Sequence, residues 1–308
     1  MTTPADQDQP ASRPSLKPEL LWSLLLALRT RARASEPLPS SFGLNLDNQG
    51  KIHLVPATDR ACVLEINADG GWSAKTSLTP ETAEQLDLYL PLALAREGQP
   101  LTVAHLGQSL DGYIATLTGD SRYVNGPENL AHLHRMRALS DAVIVGAGTV
   151  ECDNPQLTTR LVPGPNPVRV ILDPRRRLNA NWALFQDPVA PTLLVCDEAL
   201  ADLAPWGHAE VLGVPCQGQQ LDLQAVLAQL QARSLFGTFV EGGGLTVSAF
   251  LREKLLNRLQ ITVAPLLLGS GRRGVALPPI RDLADGLRPP HQRYLMGQDV
   301  LFDCRLRP

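Results

Sequence analysis

The chain has 308 residues, 44% of them apolar and 19% charged, with a formal net charge of −3 at pH 7. That is enough chain for one large domain or two ordinary ones with ample core, and the charge gives no reason to expect a nucleic-acid partner. No stretch reaches the roughly 18 apolar residues of a membrane span, and the opening MTTPADQDQPASRP has no secretion-signal pattern. The five scattered cysteines, without a CxxC, favour reduced thiols in the cytoplasm.

Residues 1–17 are polar and proline-rich, a composition that predicts disorder. PELLWSLLLALRTRARAS then reads as a short helix with a broad apolar face at Trp22, Leu25, Leu26 and Leu28, packing on its own domain or on a partner chain. From Phe42 to Leu78 the pattern turns to strands, with a hairpin signal at NADGG between CVLEI and WSAKTSL. TPETAEQLDLYLPLALAREG follows as a helix capped by Thr79, with Pro80 in its first turn. Gly98–Pro100 ends it and suggests a boundary, giving an N-terminal α+β region over 18–100 and a second domain over 101–308. Residues 1–100 carry no recognisable catalytic pattern.

Three polar loops then fall within one stretch, from His105 to Arg160. A strand runs into SLDG, a loop carries GDSRY, and a helix follows over about Pro127–Leu139. An apolar strand, Ala142–Val145, breaks at GAGT and leads into DNPQLTTR. An α/β protein assembles a small-molecule site from such loops at strand ends. On the helix, Leu130 and Leu133 define an apolar stripe, with Arg137 four residues beyond Leu133 on the same side and Arg135 pointing away. A buried arginine needs a partner, either a protein carboxylate or a ligand anion.

Farther on, NPVRVILDP is a strand followed by Arg175, Arg176 and Arg177, which suit either a sugar 2′-phosphate or a solvated turn. His208-Ala209-Glu210 with Pro215-Cys216 imitates a zinc-deaminase signature, but the spacing is too short and Gln219 stands where the second cysteine belongs. No metal site is expected, and Ala209–Val214 reads as a strand. LDLQAVLAQLQARS is an amphipathic helix. In FGTFVEGGGLTVSAFLREKLL, three glycines allow close approach of a ligand to the backbone before a helix N-terminus. Neither the P-loop nor the Rossmann pattern is present. LQITVAPLLLG and RYLMGQDVLFDCRL add strands, the closing pair as an antiparallel hairpin, so a mixed sheet flanked by helices is expected.

SLDGYIAT, GDSRYVNG, the Arg137 helix, VGAGTV, DNPQLTTR and VRVILD, in that order, resemble the reductase domain of the bifunctional riboflavin-biosynthesis deaminase/reductase family. The match runs from about Leu101 to the C-terminus. It implies an α/β, dihydrofolate-reductase-like fold, with a mostly parallel mixed sheet, behind a smaller N-terminal α+β region. It also implies a homodimer that uses NADPH to reduce the ribose of 5-amino-6-(5-phosphoribosylamino)uracil to a ribityl chain. By the same resemblance, Ser121, Arg137, Arg160, the backbone of Leu157 and Glu241 hold the substrate. Gln108, Tyr123, Thr149, Asp153, Pro174 and the run Gly243, Gly244, Leu245, Thr246, Val247, Ser248 and Ala249 hold the cofactor.

Two departures stand out. His105 occupies a position where relatives usually carry lysine near the reacting ribose, and no deaminase pattern precedes the reductase region. His105 and Asp111 are the candidate catalytic groups, Asp111 reading equally well as the turn aspartate of SLDG. A reductase of another phosphorylated or pterin-like substrate, or a non-catalytic regulatory or assembly paralogue, remain alternatives. The phosphate-binding set favours the first reading over the former, and the intact cofactor positions favour it over the latter.

Overall fold

The computed structural model describes residues 16, 18–34, 38–47, 51–68, 70–122, 124–202 and 206–307. The expectation for 1–17 therefore lies outside the described residues, apart from Leu16. The chain divides into two compact units, Met1–Pro91 and Leu92–Pro308. The division falls ahead of Gly98–Pro100, within a helix.

In the first unit, α1 (Pro18–Ala32) precedes β1 (Phe42–Leu46), β2 (Ile52–Val55), β3 (Leu64–Ile66) and β4 (Trp72–Ala74), and α2 (Pro80–Ala93) follows. The strands form an antiparallel sheet in the order β2-β1-β3-β4. The NADGG turn closes where Asn67 N bonds Gly71 O at 2.8 Å, with Gly70 at φ +80°. Thr79 Oγ1 caps α2 by accepting from Thr82 N at 3.2 Å. Leu21, Leu25, Leu64, Ile66, Leu86 and Leu90 are buried, and the Trp22 and Tyr89 rings meet edge to face at 6.2 Å. Trp72 Nε1 donates to Asp87 at 2.9 Å and ties β4 to α2.

The second unit begins with β5 (Leu101–Ser109), β6 (Tyr113–Ala115), α3 (Pro127–Leu139), β7 (Ala142–Gly146), α4 (Ala147–Asp153), β8 (Val168–Leu172), α5 (Ala183–Gln186), β9 (Thr192–Asp197) and β10 (Glu210–Val214). It continues through β11 (Cys216–Gln217), β12 (Gln220–Leu221), α6 (Leu223–Gln231), β13 (Gly237–Gly242), α7 (Gly244–Arg252), β14 (Arg258–Ala264), β15 (Arg272–Arg273), β16 (His291–Met296) and β17 (Asp299–Arg305). Its nine-stranded sheet has the order β10-β9-β8-β7-β13-β5-β14-β17-β16. Every pairing from β10 through β14 is parallel, and β17 and β16 close the edge antiparallel. This is the mostly parallel mixed sheet that the sequence predicts. The false deaminase motif resolves into β10, paired with β9.

Strand alternation supplies the core. Ala104, Leu106, Ile144, Val170, Val195 and Val240 face one side, where Val226 and Leu230 of α6 and Val247 and Phe250 of α7 cover them. One element departs from expectation. GAGT does not open a polar loop, because α4 begins directly after β7. Its glycines hide it from propensity reasoning, but Gly146 serves as N-cap and Asn154 ends it in the left-handed region at φ 41°.

At the antiparallel edge, Arg258 forms an ion pair with Asp303, which is 1% exposed, and Gln260 Nε2 reaches the same carboxylate at 3.3 Å. Arg258→Ala leaves that carboxylate buried without its cation, so a loss of about 3–5 kcal/mol is expected in urea unfolding. Replacing both partners together by Met and Leu should recover much of it. If the double variant is no more stable than the single, the pair is not the source of the loss.

Candidate active site

The strand order reverses around β5. The chain moves outward from β5 through β7 to β10, then returns to insert β13 between β7 and β5 and to add β14 on the other side. A crevice opens beyond the carboxyl ends of strands at such a reversal. Here it is a cavity of about 640 Å³, walled by residues of β5, α3 and α4 and floored by Glu241–Thr246. A second cavity of about 440 Å³ lies beyond β8 and shares Arg177, Leu245 and Thr246 with the first. The floor is bare backbone for a steric reason. A Cβ on Gly244 would lie 2.3 Å from the Gly274 carbonyl oxygen and 2.6 Å from that of Arg273, so only glycine lets α7 begin there.

Arg137 is buried, and its guanidinium clasps Glu241 through Nε, at 2.7 Å from Oε2, and through Nη2, while Nη1 donates to Thr158 O at 3.0 Å. Burial works against this charge, but the Glu241 carboxylate outweighs burial and holds the guanidinium pKa above its ordinary value. Of the two partners open at the sequence level, the protein carboxylate is the one in place. It is Glu241, itself a predicted substrate residue, and Glu241 rather than Arg137 lines the cavity. The Leu130/Leu133 stripe is corrected. Leu130 is 40% exposed and both leucines line the cavity, while Asn129, His132 and Met136 face inward with Arg137. The helix turns its polar residues to the interior because polar partners wait there.

His134 Nδ1 accepts from the backbone N–H of Arg160 at 2.9 Å, so α3 also pins the loop after α4. Arg160 itself is exposed, with Nη1 2.6 Å from Thr158 Oγ1; burial and then the charge of Arg137 lower its pKa, against the pull of Glu241. Leu157 is buried at φ 55° and lies off the cavity wall. Ser121 lines the cavity but donates to Asp153 Oδ1 at 3.2 Å. No hydrogen bond among the described residues joins Ser121 to Arg137 or Arg160.

His105 lines the cavity from β5 and is 2% exposed. Its Nε2 lies 3.1 Å from Asn129 Oδ1 and 3.0 Å from Thr262 Oγ1. Burial pushes its pKa down to about 4, so the imidazole is neutral at pH 7. Asp111 is a turn aspartate. Ser109 Oγ donates to it at 2.5 Å and the N–H groups of Leu268 and Gly269 bond it from the opposite loop. The Ser109 bond above all holds its carboxyl below the usual aspartate range. It lies off both cavity walls.

Of the predicted cofactor positions, Thr149, Asp153 and Gly243–Thr246 line the first cavity; Pro174, Leu245, Thr246 and Ala249 line the second. Burial raises the Asp153 pKa, against the Ser121 bond. Val247 and Ser248 turn inward, as a helical repeat requires: Val247 joins the core, and Ser248 Oγ donates to Gly244 O at 2.6 Å. Gln108 packs against Gly274, off both walls. Tyr123 lies outside the described residues. The three-arginine run divides. Arg176 is folded inward over the Trp206 ring at 4.5 Å, donating to Leu200 O at 2.8 Å. Arg175 and Arg177 reach the second cavity, Arg177 held by Glu151 at 3.0 Å.

Sequence reasoning missed several residues of these walls. Arg272 and Arg273 cross the first cavity's mouth because β15 pairs with β6, and GSGRRG was a readable signal for such a pair. Arg252, at the end of α7, adds a charge to the second cavity. Asn125 and Asn129 had no distinguishing pattern. Asp173 lines the second cavity fully buried; its Oδ2 accepts from Leu178 N at 2.8 Å, and Oδ1 has no hydrogen-bond partner among the described residues.

A mostly parallel sheet with a cavity over its switch point and an antiparallel closing edge is a dihydrofolate-reductase-like α/β architecture. The chain belongs to the RibD C-terminal domain family, whose model matches residues 100–288. It is 31% identical over 220 residues to the 2,5-diamino-6-ribosylamino-4(3H)-pyrimidinone 5′-phosphate reductase of Methanothermobacter thermautotrophicus, covering 68% of this chain and 99% of that one. It is 32% identical over 204 residues to the riboflavin biosynthesis protein RibD of Aquifex aeolicus, covering 66% of this chain and 56% of the relative. The chain thus spans little more than half of that longer protein. A crystal structure of the Thermotoga maritima diaminohydroxyphosphoribosylaminopyrimidine deaminase/5-amino-6-(5-phosphoribosylamino)uracil reductase matches with a TM-score of 0.59 at 26% identity, over 73% of this chain and 61% of that one.

Beside His105, burial and then the neighbouring His105, Arg135 and Arg258 charges hold His132 at about 3, and burial followed by Arg137 and Arg160 holds His134 at about 4. Each folded-state value lies below the unfolded one of about 6.5. Stability is therefore full above that value and falls as acid protonates the unfolded chain first, by up to about 1.4 kcal/mol per pH unit for each histidine between about pH 6.5 and 4. Denaturation midpoints between pH 7 and 5 should show this loss, and His132→Gln should flatten the slope by one proton. An unchanged slope would mean that His132 titrates alike folded and unfolded.

Proposed function

We propose that this chain is an NADPH-dependent oxidoreductase that reduces the ribose of 5-amino-6-(5-phosphoribosylamino)uracil to the ribityl chain, a step of riboflavin biosynthesis. The observation that carries this reading is the pair of neighbouring cavities that share Arg177, Leu245 and Thr246. One offers polar and cationic groups to a phosphorylated sugar, and the other carries Arg175, Arg177 and Arg252, a charge that suits the far end of a dinucleotide. The backbone N–H groups that open α7 face the floor with the positive end of the helix dipole, which suits a pyrophosphate.

Bound NADPH supplies the hydride; the residues of the chain position and neutralise. The family resemblance assigns the substrate phosphate to Ser121, on the cavity wall, and to Arg160, Leu157 and Arg137, which lie off that wall, with the charge of Arg137 already matched by Glu241. Held by Arg137, Glu241 presents a fixed carboxylate to the sugar. Neutral His105 orients groups beside the reacting carbon and carries no proton to it at pH 7. Resemblance to the family supports a homodimer, to be read by light scattering, where a concentration-independent monomer mass would refute it. The five free cysteines suit a cytoplasmic setting.

The Methanothermobacter relative favours a second substrate, the diaminopyrimidinone phosphate of its name, which keeps the ring amino group. Turnover with NADPH, followed by loss of absorbance at the nicotinamide band, should be assayed with both pyrimidines. Activity on the uracil supports the first reading, activity on the diamino compound alone supports the second, and activity on neither refutes both.

Cofactor preference is expected to follow the second cavity. Arg175→Gln combined with Arg252→Gln should lower the NADPH-over-NADH preference by about tenfold or more, as expected on losing charge-assisted bonds to a 2′-phosphate. Arg176→Gln should instead lower the melting temperature and leave the preference intact. A double variant with the wild-type preference would remove the 2′-phosphate role.

A further inference from the structure

The wall of the first cavity at Asn129 is more highly organised than a solvated pocket needs. Asn129 lies in the first turn of α3 and is 2% exposed. Its Oδ1 accepts from Thr262 Oγ1 at 2.8 Å and lies 3.1 Å from His105 Nε2, which also meets Thr262 Oγ1 at 3.0 Å. With Asn129 Oδ1 as the acceptor, these bonds have one consistent arrangement. The Thr262 hydroxyl gives its proton to Asn129 Oδ1, so the neutral imidazole must carry its proton on Nε2 and share it between the two oxygens. Two donors saturate the Asn129 carbonyl and fix which way the amide faces. Its Nδ2 then has no partner among the described residues and is left toward the cavity that Asn129 lines. Asn125 stands beside it and is tied to the same residue, its Nδ2 3.4 Å from Thr262 O, with its Oδ1 laid over Gly107. A Cβ on Gly107 would lie 1.8 Å from that oxygen, so β5 has room for Asn125 only as glycine.

An amide held by two side chains and left with two unused N–H groups facing a cavity is a preorganised donor. We propose that Asn129 is a specificity-determining residue whose Nδ2 donates to an acceptor oxygen of the substrate, a ring carbonyl or a sugar hydroxyl, and that His105 and Thr262 are positioning residues that fix its direction. The inference rests on the reductase reading above. It also gives His105 work that a lysine at the same place would do differently. A lysine brings a charge to the site, whereas the neutral imidazole donates its one N–H as a hydrogen bond and leaves the wall uncharged.

Calorimetric titration of the NADP⁺-saturated protein with 5-amino-6-(5-phosphoribosylamino)uracil tests this without requiring turnover. Asn129→Asp keeps the shape and replaces the donor by an acceptor, so substrate Kd should rise by about tenfold or more while NADP⁺ Kd changes less than about twofold. Thr262→Val removes one of the two orienting donors and should raise substrate Kd and KM with a smaller change in kcat; Thr262→Ser should restore both. This second variant keeps the test open if Asn129→Asp does not fold. Ribose 5-phosphate as a second probe separates the sources of the oxygen. A parallel loss for both ligands places it on the sugar, and a loss for the whole substrate alone places it on the ring. Wild-type substrate affinity in Asn129→Asp, or an equal loss for NADP⁺, overturns the proposal while leaving the reductase reading intact. A wild-type protein that binds no phosphoribosyl pyrimidine overturns both.

Discussion

The Arg137–Glu241 pair is the interaction on which the rest of the second unit's site depends. It joins three segments that the chain brings from far apart: the last turn of α3, the end of β13 and, through Thr158 O, the loop after α4. Each charge is buried enough that losing its partner leaves an ion without compensation, which is far worse than never having had the pair. The carboxylate therefore cannot wander, and the β13 terminus, from which the Gly243–Thr246 floor continues, inherits its position. His134 reinforces the same joint by accepting the Arg160 amide. One face of one helix thus sets the loop, the carboxylate and the floor at once.

The fold was largely legible because hydrophobic alternation and turn residues agree with each other along the chain. VRVILD, TLLVCD and FGTFVEG are mostly apolar and largely buried, as strands covered on both faces must be, and all three lie in the parallel part of the sheet. The short helix after β7 was not legible, since its glycines speak against a helix and its packing at the sheet end speaks for one. Within the site, the glycine run and the polar loops announced themselves. The direction of α3 did not: reading Leu130 and Leu133 as core-facing assumes that apolar residues seek the interior. Here the interior of that helix is polar, and its leucines border a cavity instead. No local pattern signals this, because the partners of Asn129 and His132 are Thr262 and Gln260, more than a hundred residues away.

The second cavity is a similar case. Three consecutive arginines look equivalent in sequence, yet the turn after β8 sends the middle one onto the face of the Trp206 ring and the outer two toward the cavity. Arg176 adopts φ +49°, so the reversal at that residue separates its neighbours' side chains from its own. The arginine that completes the charged wall comes from the far end of α7. Charge clusters that matter to a ligand are assembled by topology as often as by adjacency.

The position of β5 also governs how the protein can be made. It is the first strand of its sheet in the chain, and its two neighbours, β13 and β14, come well over a hundred residues later, registering Leu101 against Gly237 and Val103 against Arg258. A ribosome has therefore finished most of the unit before the central strand acquires either flank. Until then an apolar segment with two open edges must wait, in a topology whose long-range pairings fold slowly and leave such edges free to pair wrongly. The insertion of β13 that creates the cavity closes one of those edges, and β14 closes the other directly afterwards.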